Sequence, residues 1–271
     1  MTNLKTSLAS IISGEVTQFP LYILDEMIEN IGTTDPVLRD QLIHSSFCKL
    51  IFEDRLEKKQ LEYILYSLLN NRSLHLDIDK STTDSVFTRS FTTLIFAAIL
   101  EYDGTKQILD EDIILQVITT SHDYMMKEQD LRGYVQEKGW AHAAAHGADL
   151  LESLIKHPLA TELDALKVLQ HIARFLTIAE GYQDDEEERL ARAFVTLASN
   201  HLTDGIISDW LNSLDRSLRE KLANANGELQ PYYAQLAFKN FLKSAFFLFE
   251  KQLDRKPLQQ TIRQVVCDLI Y

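Results

Sequence analysis

Residues 130–151 read DLRGYVQEKGWAHAAAHGADLL, and the fold can be inferred from how this stretch changes along its length. Its first ten residues contain two glycines, which mark a loop, and from Trp140 it continues as a run rich in alanine and leucine. Alanine and leucine have high helix propensities, so this run predicts a helix over 140–156. Leucine-rich segments with the same helical pattern lie on both sides of the stretch. The sequence therefore indicates an all-α protein.

The composition favours the same fold class. Of the 271 residues, 9 are glycine and 5 are proline, too few for an architecture built from many strands and turns. The helical periodicity predicts about twelve helices between residues 4 and 270, and no sheet. Start signals support several of these helices, as where Asp35 caps a helix that has Pro36 in its first turn.

Four positions suggest an internal repeat. Arg39, Arg89, His142 and Arg192 lie at similar places near the start of four predicted helices, at intervals of 50, 53 and 50 residues. Each interval accommodates one pair of helices, and helix pairs at a fixed interval are typical of α-solenoids. We therefore expect residues 1–271 to form a single helical-repeat domain, an α-α superhelix similar to HEAT and armadillo proteins. An irregular helical bundle is the alternative.

The net charge limits the classes of partner. The chain has 27 Lys and Arg against 40 Asp and Glu, a net charge of −13, and no dense basic cluster offsets it. Repulsion from phosphate groups argues against nucleic acid and against an anionic membrane surface. No segment reaches the ~20 apolar residues that span a bilayer, and the N-terminal segment does not resemble a signal peptide. We expect a cytoplasmic protein with no nucleic-acid partner and no membrane partner.

Two further features have a structural interpretation. Cys48 and Cys267 lie in apolar helical segments, so we interpret both as buried free thiols in a reducing compartment. The acidic run 184–188 reads as the solvated start of a helix, where carboxylates interact favourably with the positive end of the helix dipole. We do not interpret this run as a metal site.

The predicted helix over 140–156 carries a candidate metal site. His142, His146 and Asp149 are spaced so that a helix would align their side chains on one stripe. Two imidazoles and one carboxylate suit zinc, iron or manganese, so a divalent metal is the candidate cofactor. Three ligands on one helix do not converge easily, and a further ligand would have to come from elsewhere. The alternative is that both histidines are packing residues, with Asp149 paired to Arg132 or another arginine.

Two arginines extend this candidate site. In a superhelix, Arg89 and the histidine stripe would lie on equivalent surfaces and could line one groove. A guanidinium beside imidazoles favours a small anionic ligand. We therefore predict that any ligand site lies around Arg89, Arg132, His142, His146 and Asp149, with Trp140 anchoring the helix to the core from the opposite side. The alternative for Arg89 is a structural ion pair with an acid such as Asp84 or Glu137.

Two classes of function follow from these observations. A superhelix offers an extended surface to a protein partner, so we favour a protein-interaction scaffold. The alternative is a small-ligand or metal-binding protein, or an enzyme, with its site around His142, His146 and Asp149. An enclosed pocket with Arg89 and both histidines pointing inward would favour the alternative. No motif specifies a reaction, so the sequence leaves open whether the protein is an enzyme.

Two motifs carry a family resemblance: DSVFTRSF at 84–91 and the stretch 130–151 quoted above. Together they resemble the bacterial domain-of-unknown-function family DUF2785. The resemblance implies an all-helical protein, of a kind common in Gram-positive bacteria, with no established activity. The distinctive positions of the family that this chain retains are Arg89, Arg132, Gly133, Gly139, Trp140, His142, His146 and Asp149.

Overall fold

The computed structural model of the protein describes residues 2–16, 19–80, 82–252 and 255–269. The α-helices in these ranges are α1 (Thr2–Ser13), α2 (Tyr22–Glu29), α3 (Ser45–Phe52), α4 (Lys58–Asn70), α5 (Ser85–Lys106), α6 (Glu111–Lys127), α7 (Ala143–Lys156), α8 (Glu162–Ile178), α9 (Glu186–Asn200), α10 (Asp204–Ala223), α11 (Gln230–Gln252) and α12 (Lys256–Asp268). Two short strands, β1 (Tyr134–Val135) and β2 (Gly139–Trp140), lie between α6 and α7. The all-α fold class and the number of helices are confirmed. The expectation of no sheet is wrong at this one hairpin of the described chain.

The chain divides into two compact units, Met1–Leu159 and Ala160–Tyr271. Each unit buries its own apolar residues, drawn from every helix it contains. The single repeat domain over 1–271 stays a prediction.

In the first unit, helices two positions apart in the sequence contact each other. Helix α1 contacts α3, α3 contacts α5 and α5 contacts α7, while α2 contacts α4 and α4 contacts α6. The helices thus form two rows of alternate members, as in the stacked helix pairs of an α-α superhelix. Contacts between α4 and α5, α5 and α6, and α6 and α7 join the two rows over one core.

The second unit follows the same rule. Helix α8 contacts α10, α9 contacts α11, and α10 contacts α12. Its core is aromatic around Phe194 of α9, whose ring lies 5.6 Å from that of Trp210, 5.2 Å from that of Phe241 and 5.9 Å from that of Phe249. The helix contacts inside each unit therefore agree with the predicted superhelical packing.

Helix α7 is covered on nearly all sides. Ala143, Ala144, Ala145 and Ala148 are all buried, and small side chains of this kind let α5 approach closely. On another side, a Cβ atom placed on Gly147 would lie only 2.7 Å from the sulfur of Met125 on α6. Of the polar stripe that the sequence predicts, His146 is buried within α7, whereas Asp149 is half-buried.

The helix predicted over 36–52 has an irregular first half. A π-helical segment, Val37–His44, leads directly into α3. Arg39 lies on this segment, and its side chain is fully buried. Because π-helical turns are rare and often occur at functional sites, this segment and its arginine bear on the site described below.

Two other findings concern the membrane and the thiols. None of the described helices is both long enough and apolar enough to cross a lipid bilayer. Cys48 and Cys267 are free cysteines, but Cys48 is half-buried and Cys267 is exposed. The prediction that both thiols are buried is therefore wrong. Cys267 faces away from Ile262 and Val265, the residues that α12 buries.

Candidate functional site

The hairpin between α6 and α7 is the irregular feature of the first unit. Its strands are antiparallel, with Tyr134 opposite Trp140 and Val135 opposite Gly139. The turn is tight because Glu137 and Gly139 both have positive φ, at 66° and 78°. Val135 packs on a buried cluster that includes Val86 and Phe87 of α5, so the hairpin rests directly on the core.

Arg39 anchors the hairpin through hydrogen bonds to its backbone. Its Nη2 donates to the carbonyl of Lys138 at 2.7 Å and to that of Trp140 at 3.4 Å, and its Nη1 donates to the carbonyl of Thr33 at 2.7 Å. The guanidinium also lies 4.3 Å above the ring of Phe87. A buried cation thus satisfies backbone oxygens of the hairpin that would otherwise lack partners.

Arg89 fixes the start of the loop that leads into the hairpin. Its Nε and Nη2 donate to the two carboxylate oxygens of Glu128 at 2.7 and 2.9 Å, and its Nη1 donates to the carbonyl of Leu76 at 2.9 Å. Both charged side chains are 1% exposed, so the pair is fully desolvated. The sequence leaves a structural ion pair open as the alternative role of Arg89; such a pair is present, but its acid is Glu128 and not Asp84 or Glu137. Asp84 pairs instead with Lys138, at 2.8 Å.

Arg132 closes the loop on itself. It makes a bidentate ion pair with Asp130, with a shortest distance of 2.6 Å, and donates to the carbonyl of Thr83 at 2.7 Å. Its carboxylate partner is thus a near neighbour in the chain and not Asp149. Arg39, Arg89 and Arg132 together tie residues 128–142 to the helices around them, and we call them the three clamp arginines.

A continuous series of rings runs from the surface of the hairpin into the unit. Tyr134 and Trp140 meet edge to face at 5.0 Å, and Trp140 stacks on His142 at 4.4 Å. His142 meets His146 edge to face at 5.6 Å, and His146 meets Phe91 of α5 at 5.2 Å. We call these five residues the aromatic ladder. Its outer end is open to solvent, with Tyr134 59% and Trp140 38% exposed.

The ladder corrects the predicted role of Trp140. This residue belongs to strand β2, outside the helix, and more than a third of it is exposed. It therefore does not anchor α7 to the core. The boundary of the predicted helix is wrong by three residues because α7 begins at Ala143.

The histidine stripe also differs from its prediction. His142 precedes α7 as its N-cap, with a left-handed backbone at φ 49°, and its carbonyl accepts the first helical hydrogen bond from the amide of His146 at 2.9 Å. His146 is buried, while His142 and Asp149 are half-buried. A left-handed residue ahead of the helix redirects its side chain, so the three side chains do not form one continuous helical stripe.

Of the five predicted site residues, the structure brings His142 and His146 into ring contact. Asp149 lies about one turn further along α7, and Arg89 and Arg132 each hold an acidic partner from the loop. The prediction that these five residues bind a metal or an anion stays a prediction.

Sequence reasoning missed Tyr134 and the acids Glu128 and Asp130. A hairpin signal was present: aromatic and β-branched residues at 134–135 and 140 flank a short polar segment that ends in Gly139. No local signal identifies Glu128 as the partner of Arg89, because 39 residues separate them.

The acidic run of the second unit also departs from its prediction. Glu186 and Glu187, in the first turn of α9, are buried, although Glu188 beside them is half-buried and pairs with Arg192 at 2.9 Å. Burial raises the pKa of both Glu186 and Glu187 above the usual value for a glutamate. The prediction of a solvated helix start is therefore wrong for these two residues.

Comparison with known proteins gives one match. A family model with the description "Protein of unknown function (DUF2785)" matches residues 74–247, a range that includes α5, the hairpin and α7. No curated protein and no solved structure matches the chain.

Proposed function

The chain belongs to the DUF2785 family, since the family model covers more than half of its residues, and from this premise we propose that it is a protein-interaction module. The family resemblance carried by residues 84–91 and 130–151 is confirmed. In our proposal the contact surface is the outer end of the aromatic ladder, Tyr134 and Trp140. The two free cysteines support the cytoplasmic location that the sequence predicts.

The observation that carries this proposal is an exposed aromatic pair on a rigid support. Tyrosine and tryptophan are enriched among the residues that dominate binding energy at protein interfaces. Tyr134 and Trp140 lie directly opposite each other across the hairpin, and the three clamp arginines hold the loop below them. A surface that is ordered before binding loses less entropy when a partner docks.

Charge indicates the chemistry of the partner. The chain carries a net charge of −13, which attracts positively charged molecules over long distances. Within the hairpin, Glu137 is exposed, while the ammonium of Lys138 is paired with Asp84. Aromatic faces also bind guanidinium and ammonium groups. We therefore commit to an extended, arginine- or lysine-rich segment of another protein as the partner.

The fluorescence of Trp140 tests this proposal directly. The chain has 2 tryptophans, so Trp210→Phe leaves Trp140 as the single indole reporter. We expect an arginine-rich peptide to change this fluorescence saturably and a glutamate-rich peptide of the same length to have no effect. Binding of the arginine-rich peptide, measured by calorimetry, should weaken about tenfold or more in Tyr134→Ala and in Trp140→Ala, since interface aromatics contribute ~2 kcal/mol or more.

Tyr66→Ala is the matched control, because Tyr66 is a similarly exposed tyrosine on α4. It should leave the affinity unchanged. Equal binding of both peptides, or an equal loss of affinity in Tyr66→Ala, would exclude the hairpin as the contact surface.

Metal binding by His142, His146 and Asp149 is a second candidate function. The observation in its favour is the position of the two imidazole rings, 5.6 Å apart and nearly perpendicular. We expect zinc, measured by calorimetry and by metal analysis of the purified protein, to bind the native chain and not His142→Ala/His146→Ala. Cys267→Ala, which removes an exposed thiol, should bind zinc as the native chain does. Zinc binding that survives in the double histidine variant would exclude this site.

A further inference from the structure

A cleft on the first unit lies between α4, the 3-10 turn Ser73–His75, α5 and α6, and its volume is about 340 Å³. Its inner wall is apolar, formed by the buried side chains of Leu68, Leu74 and Phe96. Its polar lining consists of Arg72, Ser73, His75, Thr119, Thr120 and Asp123. This combination of an apolar wall and a few polar groups is typical of sites for small molecules.

An ordered histidine lies at the centre of the polar lining. The Nε2 of His75 is 2.9 Å from a carboxylate oxygen of Asp123, and the same oxygen is 2.8 Å from the ammonium of Lys127. Burial lowers the pKa of His75, and the nearby carboxylate of Asp123 partly offsets this effect. The imidazole of His75 and the ammonium of Lys127 thus both face the carboxylate of Asp123. Asp123 therefore already has two partners, which disfavours its use in binding a cationic ligand.

Arg72 supplies the charge that a ligand would meet. It precedes the 3-10 turn with a left-handed backbone at φ 51°, and it is exposed at the cleft. In the described part of the chain its guanidinium makes no ion pair and no side-chain hydrogen bond. The positive charge of Arg72 is close enough to contribute to lowering the pKa of His75. The exposed Arg72 and the imidazole of His75 therefore line the same cleft.

The charge that the cleft offers to a ligand is opposite in sign to that of the whole chain. The charged residues of the lining are Arg72 and Asp123, and Asp123 is paired with Lys127 outside the cleft, so the charge left for a ligand is the positive one of Arg72, whereas the chain carries −13. The hydroxyls of Thr119 and Thr120 add hydrogen-bond donors on the α6 side. An anionic group is thus favoured at the polar lining, and an apolar group against Leu68, Leu74 and Phe96.

We propose that this cleft is a binding site for a small organic anion, a carboxylate or phosphate group on an apolar body about the size of a benzene ring. Arg72 binds the anionic group together with the threonine hydroxyls, and Phe96 contacts the apolar body. The site is separate from the hairpin surface, and its occupant is not a protein.

Simple probes test the proposal on the full chain. We expect calorimetry to detect benzoate and phenyl phosphate, and to find benzamide, the neutral analogue of benzoate, at least about tenfold weaker, as for loss of a charge-assisted hydrogen bond. Inorganic phosphate, which lacks the apolar body, should bind more weakly than phenyl phosphate. The ratio between benzoate and phenyl phosphate then distinguishes a carboxylate ligand from a phosphate ligand. The NMR signals of the His75 ring should shift on binding.

Arg72→Gln keeps the length of the side chain and removes its charge, and we expect about a tenfold or larger loss of affinity for both anions. Arg216→Gln is the matched control, because Arg216 is an exposed arginine on α10 in the second unit. It should bind both anions as the native chain does. Benzamide binding as tightly as benzoate, full affinity in Arg72→Gln, or no saturable binding of either anion at millimolar concentration would each overturn the proposal.

Discussion

Two buried carboxyl groups, one in each unit, are accommodated in different ways. Glu128, at the end of α6, accepts hydrogen bonds from the guanidinium of Arg89 at 2.7 and 2.9 Å. Glu187, in the first turn of α9, accepts a bond from the neutral amide of Asn240 at 3.4 Å, and burial raises its pKa. The first carboxylate is stabilised by an opposite charge. The second is accommodated by a shift toward its protonated form.

The difference shows that burial alone does not tell what a charge does for stability. A buried carboxylate with a guanidinium partner depends strongly on that partner, because its loss leaves an uncompensated charge in an apolar environment. A buried carboxyl whose pKa is raised opposes folding whenever the pH ionises it. Removing the positive charge of Arg89 should therefore destabilise the chain. Removing the negative charge of Glu187 should stabilise it.

The largest effect is expected from Arg89→Met. It leaves Glu128 buried without its cation, and we expect the free energy of unfolding to fall by about 3–5 kcal/mol, measured by urea denaturation at neutral pH. Arg89→Met/Glu128→Gln should recover part of this loss, because the amide oxygen of Gln can still accept the backbone N–H bonds of residues 129 and 130. A loss below about 1 kcal/mol in the single variant would show that the ion pair does not stabilise the hairpin.

A smaller effect is expected where the hairpin meets Arg39. In Gly139→Ala, the new methyl group would lie 2.8 Å from Cβ of Pro36 and 3.0 Å from Nη2 of Arg39, at a backbone φ of 78°. Gly227→Ala is the control for backbone strain alone, with φ 92° and no atom within 4 Å of the added carbon. We expect Gly139→Ala to be less stable than this control by about 1–3 kcal/mol in urea denaturation. An equal loss of stability in the two variants would mean that Pro36 and Arg39 move aside for the added methyl group at little cost.

Glu187→Gln tests the second half of the comparison. Because the pKa of Glu187 is raised in the folded chain, its contribution to stability is present at low pH and is lost as the pH rises from the usual value through the raised one. We expect Glu187→Gln to be more stable than the native chain at pH 7 by about 1 kcal/mol, and equal to it near pH 4, in thermal and urea unfolding. Glu188→Gln, at a neighbouring glutamate whose side chain is 45% exposed, should change stability by less than about 0.5 kcal/mol at either pH. A destabilised Glu187→Gln at pH 7 would contradict the comparison.

The smallest effect concerns reactivity and not stability. Burial raises the pKa of Cys48 to about 11, so very little thiolate is present near neutral pH. Cys267 is exposed. At pH 8 we expect iodoacetamide to modify Cys267 at least about tenfold faster than Cys48, as followed by mass spectrometry of the two peptides. Equal rates would show that the half-buried site of Cys48 does not suppress ionisation.

The helices were predictable from the sequence because their signals are local. Helical periodicity and helix-start signals act within a few residues of the chain. At the start of α8, for example, the hydroxyl of Thr161 accepts a hydrogen bond from the backbone N–H of Asp164 at 3.3 Å. The start of α7 was misplaced because the alanine-rich run continues the helical composition back past the actual boundary. Only the left-handed backbone of His142 ends the hairpin there, and composition does not reveal it.

The candidate site was less predictable because its contacts are long-range. The sequence marks the stretch 130–151 as the unusual part of the chain and places Arg89 near the start of a helix. That Arg39 would reach the carbonyl of Lys138, 99 residues away, depends on the packing of the whole unit. The burial of Glu187 has the same origin, since the residues that cover it lie in other helices.

The packing of α5 against α7 has a consequence for how the chain is synthesised. Most side chains of α5 are buried, and α7 covers them, but α7 ends at Lys156, fifty residues after α5 ends at Lys106. At translation rates of roughly 5–20 residues per second, synthesis of α7 is complete about 3–10 s after that of α5. During that time the phenylalanines and isoleucines of α5 are accessible on the nascent chain. The ribosome-bound intermediate is therefore the form of this protein most exposed to aggregation, and the form that a chaperone would bind.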